Sequence, residues 1–214
     1  MERTQTEVTK ILLELNTIKI QPLNPFTWAS GWKSPIYCDN RKILSYPEAR
    51  TLVRNKFAEI IRKKYPDTEV IAGVATGAIA HSVLVADLLE LPFIYIRSKP
   101  KGHGLENLIE GDLKPGQKVV VIEDLVSTGE SSLKAAEAVN SFGGVVTGML
   151  AIFTYNFPVS KKKFDQANIE LTPLSNYQAL IKMALQTGEI TDDQVQTLME
   201  WRENPADWGK NKQS

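Results

Sequence analysis

The chain has 214 residues, with Lys plus Arg and Asp plus Glu balanced at 25 each, so it lacks the basic excess expected of a nucleic-acid binder. Apolar residues make up 43% and charged residues 23%, which suits one domain with a core of ordinary size. Cys38 is the single cysteine, which excludes an intrachain disulfide, and with only His81 and His103 beside it a tetrahedral zinc site would need carboxylates.

The first residues lack the apolar centre of a signal peptide, and no apolar run approaches the ~20 residues that cross a bilayer. A cytoplasmic protein without membrane or nucleic-acid partners is expected. In chain order, residues 6–16 carry Val8, Ile11, Leu12 and Leu15 at helical spacing. Residues 23–41 are irregular, rich in Trp, Pro, Gly and Ser, with a strand-like piece at Pro35-Ile36-Tyr37-Cys38. Residues 47–65 predict a helix with Pro47 in its first turn and Pro66 as its stop. Residues 69–74 read as a buried strand, 78–89 as a helix and 93–96 as a strand. Residues 118–122 (Lys-Val-Val-Val-Ile) form the most strand-like run in the chain.

Residues 131–142 predict a helix closed by Gly143-Gly144, and 145–153 a further strand. Residues 175–186 and 191–202 read as amphipathic helices, the second capped by Thr191, before a polar tail. Continuously apolar strands alternating with helices imply an α/β fold, a mainly parallel sheet covered on both faces.

The chemistry concentrates in residues 119–132, Val-Val-Val-Ile-Glu-Asp-Leu-Val-Ser-Thr-Gly-Glu-Ser-Ser. A strand ends in the acids Glu123 and Asp124, a small hydroxyl loop follows, and a helix begins. Ligands of open α/β sheets bind outside the carboxyl ends of strands. The loop and helix start offer free N–H groups and the hydroxyls of Ser127, Thr128 and Ser131, a cradle for phosphate. No Lys follows Gly129, so this is not a Walker loop. The acids would accept hydrogen bonds from vicinal hydroxyls or hold a hydrated Mg²⁺, and a phosphorylated ribose suits both halves. On residue types alone, the acids could also merely end a strand and cap a helix.

This segment resembles the motif by which type I phosphoribosyltransferases bind 5-phosphoribosyl 1-diphosphate (PRPP). The resemblance implies that Glu123, Asp124, Leu125, Val126, Ser127, Thr128, Gly129, Glu130 and Ser131 bind PRPP. It also implies the type I fold: a central mainly parallel sheet with helices on both faces and a small N-terminal hood. The hood would span about 17–45 with a C-terminal contribution, the core about 46–175, and C-terminal helices 175–203, all within one domain of 1–214.

Two further segments concern the acceptor. Residues 97–104 (Arg-Ser-Lys-Pro-Lys-Gly-His-Gly) follow a strand, are broken by Pro100, Gly102 and Gly104, and meet no acid until Glu106. Such a run is a solvated surface loop or a lid that carries cations onto a leaving group and then opens. It is similar to the catalytic loop of orotate phosphoribosyltransferases, which implies that Arg97, Lys101 and His103 contact the diphosphate from across a homodimer interface. Relatives often carry Lys where this chain has Ser98, and Lys99 is placed to compensate.

Residues 26–39 contain Ser30-Gly31-Trp32-Lys33-Ser34-Pro35 and resemble that family's hood. Lys33 would meet an anionic base or the diphosphate, while Trp28 and Trp32 pack the hood. Residues 73–78 (Gly-Val-Ala-Thr-Gly-Ala) resemble the family's pyrophosphate loop, although a tight turn that needs glycine explains them equally well. His81 reads as a packed histidine. Some members carry an orotate-binding Arg where this chain reads Phe153-Thr154-Tyr155, so backbone N–H groups near 33–37 are expected to take the carboxylate.

The resemblance implies attack of orotate N1 on ribose C1 with inversion, through an oxocarbenium-like transition state. Ser127 would also reach the base, and Mg²⁺ would be held through PRPP, with Asp124 acting through water and no direct protein ligand. A purine phosphoribosyltransferase, a non-catalytic PRPP sensor and a diphosphate-binding module are the rival classes. The lid and hood argue against all three.

Overall fold

The computed structural model describes residues 2–28, 30–99 and 108–208. Helix α1 (Glu2–Glu14) leads into β1 (Ile18–Ile20), which pairs antiparallel with β4 (Ile36–Cys38). Between them, β2 (Phe26–Thr27) and β3 (Lys33–Ser34) form a separate two-stranded ribbon. A 3-10 helix at Asn40–Ser45 connects to α2 (Pro47–Lys64), which has Pro47 at its start and Arg62, Lys63 and Lys64 in its last turn, where cations suit the dipole.

The alternating units follow: β5 (Val70–Val74), α3 (Ile79–Leu89), β6 (Phe93–Ile96), β7 (Ile109–Glu110), β8 (Lys118–Val126), α4 (Glu130–Ser141) and β9 (Val145–Thr154). Then come α5 (Pro158–Gln166), β10 (Leu171–Asn176), α6 (Tyr177–Gln186) and α7 (Asp192–Glu203). The main sheet runs β10-β9-β8-β5-β6-β7 and is parallel except for β7. Alternate residues of β8 feed two cores. Val120 and Ile122 face α1, α2, α3 and α6, while Val119 and Val121 face α4 and α5. Both faces are therefore covered, as the apolar strands require.

The structure departs from the sequence patterns in several places, among them the short β1, the 3-10 helix and β7, which were not expected. Strand β8 does not stop at Ile122; it runs on to Val126, so Glu123 and Asp124 lie inside it, with Glu123 opposite Ala151 and Leu125 opposite Phe153. Helix α1 starts at Glu2, where the Arg3–Glu7 ion pair joins successive turns of a polar segment. Elements α5 and β10 occupy a stretch where no element was expected. Lysines mask the period of α5, which buries only Ser160 and Phe164, and β10 carries Pro173, which is tolerated at a sheet edge. Ser175 consequently belongs to β10, and α6 begins at Tyr177, capped by Asn176, whose Oδ1 accepts the Ala179 N–H at 3.0 Å. Helix α7 begins as expected after Thr191, whose N–H donates to Gln194 Oε1 at 3.0 Å.

Candidate active site

The carboxyl ends of β5, β6 and β8 open onto one side of the sheet. After β8, Ser127 and Thr128 lead to Gly129, which caps α4 at φ +77°. A Cβ at Gly129 would also lie 2.8 Å from the Phe164 ring, so both backbone and packing require glycine. Ser127 and Thr128 are half-buried, and Glu130 and Ser131 are exposed on the first turn of α4. The expected hydroxyls therefore gather where the helix leaves N–H groups unpaired. Leu125 and Val126 differ from these. Leu125 is half-buried against one core, and Val126 is fully buried in the other, which leaves Val126 only its backbone for a ligand.

The two acids occupy different environments. Glu123 is 5% exposed, and Ser132 Oγ donates to its Oε1 at 2.7 Å. Burial pushes this carboxyl up to about 8, with the Ser132 bond opposing. Asp124 is half-buried; burial raises its pKa too, against the lowering effect of backbone N–H groups and Arg41. Its carboxylate abuts Gly77 in the turn after β5, where a Cβ would overlap it. Its backbone carbonyl accepts from Asn40 Nδ2 at 2.6 Å. The turn after β5 and the start of the 3-10 helix thus meet at Asp124, on the strand that leads into the hydroxyl loop.

Arg97 follows β6, and its N–H donates to Leu108 O at 2.8 Å. Its Nη1 donates to Glu110 Oε1 at 3.0 Å, a partner supplied by β7 rather than by its own loop. A cleft of about 690 Å³ lies between this arginine and α4, lined by Val74, Ala75, Thr128 and Ser131. Lys101 and His103 lie outside the described residues. Among the described residues no group of three or more His, Cys, Asp or Glu side chains could hold a metal ion.

The hood segment reaches Asp124 through Asn40. Lys33 is exposed, and its Nζ donates to Thr27 Oγ1 at 2.9 Å. Trp28 and Trp32 stack at 6.4 Å, and Trp28 Nε1 donates to Ile36 O at 3.0 Å. Tyr155, where an Arg was sought, is 1% exposed and packs against Trp28, Phe153, Phe157 and Trp201 at 5.2 to 5.6 Å. Helix α7 closes this block, with Trp201 Nε1 donating to Lys33 O at 3.1 Å. His81 is packed, as expected: 2% exposed, with neither ring nitrogen hydrogen-bonded, and held neutral by burial that lowers its pKa to about 4. Asn40 and Trp201 escaped the sequence reading. Asn40 had a signal, since it directly follows the hood segment that ends at Asp39, whereas Trp201 had none in its local sequence.

A model of the phosphoribosyl transferase domain matches residues 39–169. The orotate phosphoribosyltransferase of Porphyromonas gingivalis (strain ATCC BAA-308 / W83) is 59% identical over 198 residues, covering 92% of this chain and 94% of that protein. Among solved structures, Leishmania donovani UMP synthase aligns with a TM-score of 0.77 at 26% identity over 92% of this chain and 42% of its own, so the chain spans less than half of that protein. The orotate phosphoribosyltransferase from Aeropyrum pernix aligns with a TM-score of 0.75 at 24% identity, covering 86% of this chain and 99% of its own, a likeness of fold.

Proposed function

The chain belongs to the orotate phosphoribosyltransferases, within the phosphoribosyl transferase domain family, and from that membership we propose how its own residues carry the reaction. It transfers the 5-phosphoribosyl group of PRPP to orotate, giving orotidine 5′-monophosphate and diphosphate on the route to pyrimidine nucleotides. The observation that carries the residue assignments is the meeting of three elements at Asp124: the turn at Gly77, the hydroxyl loop before α4, and the hood.

The 5′-phosphate takes the N–H groups and hydroxyls of Ser127 through Ser131, with the α4 dipole favouring its charge. Asp124 accepts from the ribose hydroxyls. Glu123 lies behind it, bonded to Ser132 of α4, and completes the acid pair toward the ribose; burial lifts its carboxyl to about 8, which favours the protonated form. A half-buried Asp124 fits an outer-sphere partner for Mg²⁺ carried by PRPP, and the metal supplies charge neutralisation on the diphosphate.

Arg97, Lys101 and His103 neutralise the departing diphosphate, and Arg97 exchanges Glu110 for it. Lys33 faces the anionic base or the diphosphate, and Ser127 reaches the base. With no arginine directly after β9, the carboxylate falls to the backbone of the 33–37 stretch other than Pro35, which has no N–H, and Ile36, whose N–H is given to Ser34 Oγ. The reaction needs no covalent nucleophile. Exclusion of water protects the oxocarbenium-like sugar from hydrolysis.

The chain works as a single domain in a cytoplasmic homodimer whose lids cross the interface. In support, Val83 on the outer face of α3 is 42% exposed beside the half-buried Ile79, Leu84 and Leu88, an apolar strip suited to a second copy. No helix among the described residues is long and apolar enough to cross a membrane. The test is to mix the protein with PRPP, Mg²⁺ and orotate and follow the loss of orotate absorbance. Orotate left intact while a purine base is consumed would overturn the substrate.

A further inference from the structure

Resting on the reading above, in which Lys33 meets the anionic acceptor, we propose that Trp201 is a positioning residue for Lys33, so that helix α7 sets the grip of the hood on orotate. Lys33 lies on a ribbon of two residues per strand, paired only as Phe26 with Ser34 and Thr27 with Lys33, and separate from the main sheet. An isolated two-stranded ribbon is at best marginally stable, so its placement comes from what holds it. The Lys33 ammonium bonds to Thr27 within the same ribbon, which cannot fix the ribbon relative to the core. Trp28 Nε1 to Ile36 O is likewise a bond within the hood.

The bond from Trp201 Nε1 to Lys33 O is different, because its donor stands on α7, 168 residues away. The indole is fully buried and meets Trp28, Tyr155, Phe157 and Tyr177 at 5.3 to 5.7 Å. Helix α7 is itself tied down. Tyr177 Oη donates to Leu198 O at 2.6 Å, and Arg202 Nη2 donates to Asn156 O at 2.7 Å. The helix therefore passes its position through one indole N–H to the backbone of a residue whose exposed ammonium, bonded here to Thr27, would exchange that hydroxyl for ligand.

The test is a double-mutant cycle on orotate kinetics. Trp201→Phe keeps a ring in the block and deletes the donor. It should raise the orotate KM about fivefold while the PRPP KM and kcat stay within about twofold. In a Lys33→Ala background the same change should add nothing, because the residue it positions is gone. A silent Trp201→Phe beside an impaired Lys33→Ala sinks the positioning role alone, as does a rise that adds in full to that of Lys33→Ala. A silent Lys33→Ala removes Lys33 from the site, and this inference with it. If Trp201→Phe does not fold, Arg202→Ala loosens α7 without emptying the block. It should give a smaller orotate KM rise that also vanishes with Lys33→Ala, and full additivity there overturns the proposal.

Discussion

The bare Cα of Gly77 faces the carboxylate of Asp124 with no room for a methyl group between them. Gly77→Ala must therefore turn the Asp124 side chain away from where the ribose hydroxyls are assigned. Losing a hydrogen bond to a charged group weakens binding about 10- to 100-fold, so the PRPP KM should rise by that order in Gly77→Ala. Asp124→Asn should raise it as well, and the double variant should be little worse than the more severe single change. Steady-state kinetics with PRPP varied would decide, and a normal PRPP KM in both single variants would contradict the ribose assignment.

Glu123 makes stability fall as pH rises from acid to neutral. Its carboxyl, 4.5 when unperturbed, is lifted by burial to about 8 in the folded chain. Below the lower value both states hold the proton. Between the two, the unfolded chain has released it and the folded chain has not, so stability falls with rising pH by about 1.4 kcal/mol per unit. Glu123→Gln removes the titration. Its Tm advantage over the parent, measured without ligand, should widen from pH 5 to pH 8, and parallel curves would reject the assignment.

His81 acts with the opposite sign. Burial depresses its ring from 6.5 to about 4, so its contribution to stability is present above the higher value. It is lost as pH falls through the window between them, because the unfolded chain takes up a proton that the buried ring refuses. The Asn40 backbone only partly opposes this shift and neither ring nitrogen makes a well-formed hydrogen bond, which makes an apolar ring tolerable. His81→Phe should flatten the acid limb of a denaturant-midpoint profile between pH 6.5 and 4. An unchanged limb would place the acid sensitivity elsewhere.

Lys101→Ala should lower kcat by about 100-fold or more, with a smaller change in the PRPP KM and an unaltered Tm, because a lid cation acts most strongly on charge that develops as diphosphate leaves. Unchanged turnover would remove Lys101 from the reaction.

The alternating core of the fold was legible because buried parallel strands are apolar throughout, and residues 93–96 emerged with their full bounds as β6. Strand β8 ran past its apolar stretch because pairing with β9 continues under Glu123 and Leu125, and backbone pairing is indifferent to a carboxylate that finds Ser132. The phosphate loop was readable as a local run of small hydroxyl residues. Asp124's neighbours were not: Gly77 and Asn40 reach it from other elements, and only the folded sheet brings them within contact. The partner of Arg97 was hidden for the same reason, since Glu110 arrives through the antiparallel pairing of β7 with β6.

The bond that joins residues 33 and 201 also orders events in time. During synthesis the N-terminal tryptophans emerge long before the helix that covers them, and contacts of such sequence separation form late. Until then the hood exposes aromatic rings, while the alternating strands and helices have already been made. The end of the cleft proposed for phosphate can thus assemble on the nascent chain before the end proposed for the acceptor. An enzyme interrupted short of α7 would present sticky rings where it should present a base pocket, a reason for such fragments to aggregate or to be degraded.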